Sequence, residues 1–362
     1  MIVALFYYKL EKFGGIRAVK DYVKQALSDL GIRTYEFSWK DHKYMCKLRD
    51  FAAFKTIYGN LLSKLLDYTC FRHLDTQLEQ NNILTFNIHG EWLFLPTKLV
   101  YIHDPELLVS TFVRHSPLSI VRRAYYIPHN IISKNLVNLY GKSLVVVNSN
   151  FSATQLKRLT GLDSQVLYPP VDTHKYRNCG LHDKPWVLTI SRFSRFKQLD
   201  KILEVAKQVR DAKFFICGGV NSEDELRYFW YLKRLMDKEN IKNVFPLPNA
   251  SEQIKTYLMS RSKAYFHPKE NEQFGISIVE AASSGLIPIV HKSGGPWMDI
   301  LDSKQGLYGY AYDNLEEAVS IVDYVLRQYP KLVKDLALYN RAKYFSYDKF
   351  KIRLHNLLEQ MM

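Results

Sequence analysis

Short apolar runs alternate with amphipathic stretches along most of this chain. Ile2–Tyr8 is a continuous apolar run with the length of a buried strand. Gly14-Gly15 follow, and then Ile16, Val19, Tyr22, Val23, Ala26 and Leu30 recur at helical spacing. Ile32–Phe37, Ile83–Asn87, Leu99–Ile102 and Leu144–Asn148 read as further strands. Residues 43–68 show a helical period through Tyr44, Leu48, Phe51, Tyr58, Leu61, Leu62 and Leu65, interspersed with Lys43, Lys47, Lys55 and Lys64. Ser149-Asn150 can cap a helix predicted from Ser152 to Leu159, which Gly161 ends.

The alternation restarts after a polar run, Asp172–Asp183. Pro185–Ser191, Lys213–Cys217, Val244–Leu247 and Ala264–His267 read as strands. Leu199–Val209, Glu223–Lys238 and Ser251–Ser262 read as the helices between them. A short strand is expected near Gly309–Tyr312, and Tyr347–Met361 reads as a last amphipathic helix. Strand and helix in alternation predict the α/β class, with parallel, doubly wound sheets. A chain of 362 residues suggests two domains, at ~100–200 residues each.

The most informative stretch runs from His267 to Pro296, HPKENEQFGISIVEAASSGLIPIVHKSGGP. It reads as a strand end, a loop, a short helix, a strand and a Gly-rich turn. Phe274, Gly275 and Ile276 open the helix. A helix start offers unpaired N–H groups and the positive end of a dipole, which suits a phosphate. Gly275 lets a ligand approach the backbone closely. Glu272 before the helix and Glu280 inside it are placed to accept hydrogen bonds from hydroxyls. Phosphate recognition flanked by hydroxyl recognition describes a sugar-nucleotide site. The bland alternative is an amphipathic helix with two solvated carboxylates.

Glu272 and Glu280 fit the E-x7-E pattern, and with FG, GLIPIV and SGGP the stretch resembles retaining GT-B glycosyltransferases of family 4. Within that family it is similar to the eukaryotic dolichol-pathway alpha-1,2-mannosyltransferases. Three more segments carry the resemblance. Arg192 and Lys197 in ISRFSRFKQLD resemble the R-x4-K segment that grips the donor diphosphate, whereas Arg195 is out of register. Tyr101-Ile102-His103-Asp104-Pro105 resembles a Tyr-x-His-x-Pro segment whose His lies beside the donor sugar. NSNFSATQL with LYPPVD resembles the end of the family's first domain. Gly14-Gly15 would match a loop that reaches across the cleft to the donor.

The resemblance implies two Rossmann-like domains facing a central cleft, with the C-terminal helix crossing back to the first. The expected domains are an acceptor domain, 1–175 with 346–362, and a nucleotide-sugar donor domain, 184–345. It implies transfer of a hexose, mannose among the candidates, from GDP-mannose or a UDP-hexose to a glycan or lipid-linked acceptor, with an alpha linkage. Glu272 would bind the sugar hydroxyls and Glu280 the ribose. Phe274, Gly275, Ile276, Arg192 and Lys197 would hold the diphosphate region, and His103 would orient or polarise the reacting groups. No cofactor is expected, and no metal, because Arg192, Lys197 and the helix start can meet the leaving-group charge, and the lack of a DxD motif agrees. No enzyme nucleophile is assigned. Another GT-B chemistry, such as an epimerase, remains an alternative.

Composition adjusts this picture modestly. The net charge is +14, and residues 1–180 carry +9 of it against +5 for 181–362. An excess of cations favours anionic partners, so a basic membrane-surface or nucleic-acid binding module is the rival class. No nucleic-acid motif supports the second, and no nucleic-acid partner is expected. The Lys-rich stretch 43–68 suits a lipid surface or packing of its apolar side on its own core, and the cluster Arg114, His115, Arg122 and Arg123 suits acceptor phosphate, lipid headgroups or a solvated patch. Cys46, Cys70, Cys179 and Cys217 are scattered, without a CxxC, which argues against zinc and a disulfide scaffold. The N-terminus lacks the marks of a signal peptide, and no 18-residue apolar window occurs. The expectation is a cytoplasmic setting, compatible with the cytoplasmic membrane face.

Overall fold

Among the described residues of the computed structural model, every pairing of the named strands is parallel. The structure describes residues 1–7, 15–38, 75–91, 93, 95–108, 139–177 and 181–361. Gly14, the basic stretch predicted over 43–68 and the Arg114–Arg123 cluster lie outside the described residues. So do Cys46, Cys70 and Cys179.

The chain divides into two units, Met1–Tyr168 with Lys351–Met362, and Pro169–Phe350. The first contains β1 (Ile2–Tyr7), β2 (Arg33–Ser38), β3 (Leu84–Asn87), β4 (Leu99–Ile102), β5 (Leu144–Val147) and β6 (Gln165–Val166), in the order β2-β1-β3-β4-β5-β6. Val3–Phe6 of β1 and all of β4 are buried, as strands covered on both faces must be. Helix α1 (Gly15–Asp29) buries Val19, Val23, Ala26 and Leu27, one stripe at helical spacing. Helix α2 (Asn150–Thr160) starts at Ser149, whose hydroxyl accepts from the Ser152 N–H, and stops at left-handed Gly161.

The second unit contains β7 (Trp186–Ile190), β8 (Lys213–Gly218), β9 (Val244–Pro248), β10 (Ala264–His267), β11 (Ile287–His291) and β12 (Tyr310–Tyr312), in the order β12-β11-β10-β7-β8-β9. Its helices are α3 (Asp200–Gln208), α4 (Glu223–Lys238), α5 (Glu252–Arg261), α6 (Ile276–Ser284), α7 (Leu315–Asp335) and α8 (Leu338–Lys343). One core joins Phe214 and Phe266 of the sheet to Ile202 and Leu203 of α3 and to Val322 and Val325 of α7. Each such buried side chain contributes roughly 1.5–3 kcal/mol.

Both sheets reverse their strand order once, between β1 and β3 and between β7 and β10. The crevice outside the carboxyl ends of strands at such a reversal is where open α/β sheets take ligands. The last helix, α9 (Tyr347–Glu359), passes from one unit's residues to the other's, and Lys351 there pairs with Asp29 at 3.6 Å. The α/β class with parallel, doubly wound sheets is thus observed in each unit. Among the described residues no helix is long and apolar enough to cross a membrane.

Candidate active site

At the reversal in the second unit, Arg192 and Lys197 follow β7 and Glu272 follows β10. Lys197 Nζ stands 2.5 Å from Glu272 Oε2. His267 Nε2 lies 3.3 Å from the same oxygen, so Nε2 carries the proton and donates it. Lys269 Nζ is 3.6 Å from the other oxygen, Oε1. Burial pushes the Glu272 carboxyl up, but Lys197, Lys269 and His267 more than offset it and hold the group well below the usual carboxylate range. Burial lowers Lys197, the Lys269 and Arg192 charges add to that, and Glu272 opposes it. Burial also lowers His267, against the pull of Glu272.

Further contacts fix the two loops. Gln198 Oε1 accepts from the Glu270 N–H at 3.0 Å, and Lys201 pairs with Glu270. Ser293 Oγ accepts from the Asn271 N–H at 2.9 Å, and the Gly295 N–H donates to Glu272 O at 2.8 Å. A Cβ at Gly294, where φ is +74°, would lie 2.5 Å from Glu272 O. One at Gly295 would lie 2.2 Å from Gln273 O. The SGGP turn is therefore glycine because it lies against the backbone that carries Glu272.

Helix α6 begins at Gly275, at φ +96°, with no side-chain cap. Its first N–H groups are left for solvent or a ligand, at the positive end of the dipole. Ser277 Oγ is 2.7 Å from the Tyr265 hydroxyl, which accepts from the Ile190 N–H at 3.2 Å. The helix start is thereby tied to the end of β7, two residues before Arg192. A Cβ at Gly218 would strike Ser191 O at 1.7 Å, so β8 closes directly on the turn that presents Arg192. Arg192 Nη1 is 3.6 Å from Glu225 Oε1. Arg195 instead stacks over Tyr228 and Tyr231, at 5.6 and 5.1 Å, away from the Glu272 carboxylate. Phe274 is buried against Phe345, with ring centroids 5.2 Å apart, which anchors the loop just before the helix.

Glu280 sits one turn into α6 and makes no hydrogen bond through its carboxylate to the described residues. Burial pushes it up to about 7, with Glu252 and Asp172 raising it and Lys175 and Lys255 opposing. Glu252 is bound by Tyr176 and, at 2.9 Å, by Lys175. The structure thus brings Lys197 and Glu272 into contact and places Glu280 in a separate charged environment on the same helix start.

The first unit holds His103 at the carboxyl end of β4. Its ring Nε2–H donates to Ile88 O at 2.9 Å, its N–H donates to Glu91 Oε2 at 3.2 Å, and its carbonyl accepts from Asn148 Nδ2 at 2.8 Å. Burial, then His89, pushes His103 down to about 3, so the ring is neutral near pH 7 with Nδ1 as an acceptor. Glu91 is buried, and burial raises it to about 8. Gly15 opens α1.

Sequence reasoning passed over Lys269, His267, Glu91 and Asn148. His267 and Lys269 lie inside the HPKENE string, and a basic residue three positions before Glu272 was the available signal. Glu91 stands in a loop without periodicity, and only a carboxylate in an otherwise apolar run marked it.

The family model described as "Glycosyl transferases group 1" matches residues 175–343. Among curated proteins, the chain is similar to the GDP-Man:Man(3)GlcNAc(2)-PP-Dol alpha-1,2-mannosyltransferase of Dictyostelium discoideum, 28% identical over 57% of this chain and 45% of that protein. The human protein of the same name is 26% identical over 60% of this chain and 48% of its own length. The alpha-1,3/1,6-mannosyltransferase ALG2 of Candida albicans is 24% identical over 62% and 60%. The chain thus spans about half the length of the first two relatives. Among solved structures, sucrose-phosphate synthase from Thermosynechococcus elongatus superposes with a TM-score of 0.72 at 14% identity, covering 99% of this chain and 98% of that one. HepE of Anabaena in complex with UDP and glucose gives 0.68 at 15%, covering 99% and 100%. At those identities the likeness establishes the fold alone. The family match lies within the second unit, which is thus similar to the group 1 glycosyltransferases, and the fold of the chain is GT-B.

Proposed function

We propose that this protein is a retaining, metal-independent family 4 glycosyltransferase that moves mannose from GDP-mannose to a lipid-linked glycan, forming an alpha linkage. The observation that carries this reading is the Lys197–Glu272 contact beside the uncapped start of α6. A cation, a hydroxyl-binding carboxylate and free N–H groups converge at one strand-order reversal. The names of the curated relatives supply the choice of donor and acceptor.

Departure of the nucleoside diphosphate is the step the site must favour. Arg192 can take two phosphate oxygens in plane, and Lys197 adds a point charge. The N–H groups at the start of α6 complete a preorganised set of donors aimed at the developing charge. Because the chain's own cations meet that charge, no metal is assigned to the step. Phe274, Gly275 and Ile276 let the diphosphate approach the backbone. Glu272, ionised by its two lysines, accepts from donor-sugar hydroxyls, and Glu280 accepts from the ribose hydroxyls. His103, neutral and fixed at three points, is assigned with Gly14 and Gly15 to the donor sugar by family resemblance. Attack on the face from which the diphosphate leaves requires no enzyme nucleophile. A lipid-linked acceptor sets the reaction at a membrane surface, and the charge of +14 suits an anionic one.

The test is transfer from GDP-mannose to a lipid-linked oligosaccharide, with the product read by NMR and the assay repeated in EDTA. An alpha-linked product formed equally well in EDTA is expected. A beta-linked product contradicts retention, and loss in EDTA restored by a divalent cation contradicts metal independence. Release of GDP without any acceptor dependence favours an epimerase or another GT-B chemistry.

A further inference from the structure

Glu272 carries an ammonium group on each of its oxygens, Lys197 at 2.5 Å on Oε2 and Lys269 at 3.6 Å on Oε1. Its side chain is 10% exposed, that of Lys269 19% and that of Lys197 22%. The proposed function gives Lys197 a second task, the donor diphosphate. A lysine that turns to a phosphate leaves the carboxylate it had paired. A buried carboxylate abandoned by its cation is strongly unfavourable, and it would resist donor binding. His267 cannot take over that charge, since burial holds its ring neutral.

Lys269 stands where it can. It lies three residues before Glu272, on a loop held by Gln198 at the Glu270 N–H, by Ser293 at the Asn271 N–H and by the Gly295 N–H at Glu272 O. That loop keeps Lys269 beside Oε1 whatever Lys197 does at Oε2. We infer that Lys269 is a positioning residue of the donor site, which keeps Glu272 compensated while Lys197 turns to the donor diphosphate. The inference rests on the proposed function, which makes a diphosphate the ligand.

The experiment titrates wild type, Lys269→Gln, Lys269→Arg, Glu272→Gln and the Lys269→Gln/Glu272→Gln double variant with GDP-mannose, GDP and guanosine. Lys269→Gln is expected to weaken GDP and GDP-mannose roughly tenfold or more. Guanosine, which carries no phosphate, should bind unchanged, and Lys269→Arg should restore GDP binding to within about twofold. In the Glu272→Gln background there is no charge left to compensate, so Lys269→Gln should have no further effect. Unchanged GDP binding by Lys269→Gln overturns the inference. So does an equal loss of guanosine, or an equal loss of GDP with and without Glu272. Should Lys269→Gln not fold, Lys269→Met keeps the aliphatic stem and is read by the same outcomes. Wild type that binds neither GDP nor GDP-mannose overturns the proposed function itself, whereas wild-type binding with a silent Lys269→Gln overturns only this inference.

Discussion

Lys197 and Glu272 are 75 residues apart in sequence and in direct contact, 2.5 Å from Nζ to Oε2. Each follows one of the two strands that flank the reversal in the second sheet. The contact is a property of the topology: parallel strands deliver both loops to the same edge. Removing one partner weakens the compensation of the other, and since Lys269 still faces Glu272 the cost stays below the about 3–5 kcal/mol of a wholly uncompensated buried charge. Lys197→Ala and Glu272→Ala are each expected to lower the unfolding free energy by up to that amount. The double variant should lose less than the sum. Denaturant unfolding of the three variants checks this, and strict additivity would show that the two groups do not interact in solution.

Gly294→Ala is expected to disturb the Glu272 loop without touching any proposed ligand-binding side chain. The new Cβ would meet Glu272 O at 2.5 Å, at a φ of +74° that alanine adopts only with strain. A destabilisation of roughly 1–3 kcal/mol is expected, with a marked fall in donor affinity. Thermal unfolding with GDP-mannose titration reads both. An alanine that leaves donor binding intact would show that the turn does not hold the loop.

Much of this site was legible before the structure. Glu272, Gly275 and Glu280 were placed around a helix start, and the helix does open at Ile276, running to Ser284. The strands β7 and β10 were marked by short, largely apolar runs. The pairing of Lys197 with Glu272 was not legible, because strand order is a long-range choice that periodicity does not encode. Lys269 escaped for another reason: a loop lysine carries no periodic signal, and only its three-residue distance from a carboxylate matters. The glycines of SGGP were visible as a motif, but the collision with Glu272 O that excludes a side chain appears only in three dimensions. The two-residue β6 is too short for any pattern.

Glu280 supplies a pH dependence with a definite sign. Its folded carboxyl is pushed up to about 7 from the ordinary 4.5, first by burial. Between those values the unfolded chain ionises first, so the folded chain binds more protons and stability falls as pH rises. That contribution is fully present below pH 4.5 and gone above about 7. Glu280→Gln should flatten the decline across this window. Donor affinity should move the other way, strengthening as pH rises through about 7 and Glu280 ionises to accept from the ribose. Titration of GDP at pH 5.5 and 8 checks this, and an affinity for GDP independent of pH in wild type would remove Glu280 from ribose binding.

His103 should stay neutral across the working range, since burial pushes it down to about 3. The pH–rate profile should therefore show no His103 limb between pH 5 and 8. His103→Ala is expected to lower the transfer rate about 100-fold or more, with GDP affinity unchanged, because the side chain lies in the first unit and the proposed diphosphate ligands, Arg192 and Lys197, lie in the second. Steady-state kinetics with parallel GDP binding separates these effects. A normal rate in His103→Ala would leave the residue a structural role only.

The central claim is that the second unit binds a sugar nucleotide through Lys197, Glu272 and the start of α6. Thermal unfolding of the wild-type chain with GDP-mannose, UDP-glucose and ADP-glucose tests it most directly. GDP-mannose is expected to raise stability by about 2.7 kcal/mol at a hundredfold excess over Kd, with the effect lost in Lys197→Ala and Glu272→Ala. No stabilisation by any of the three sugar nucleotides would contradict it.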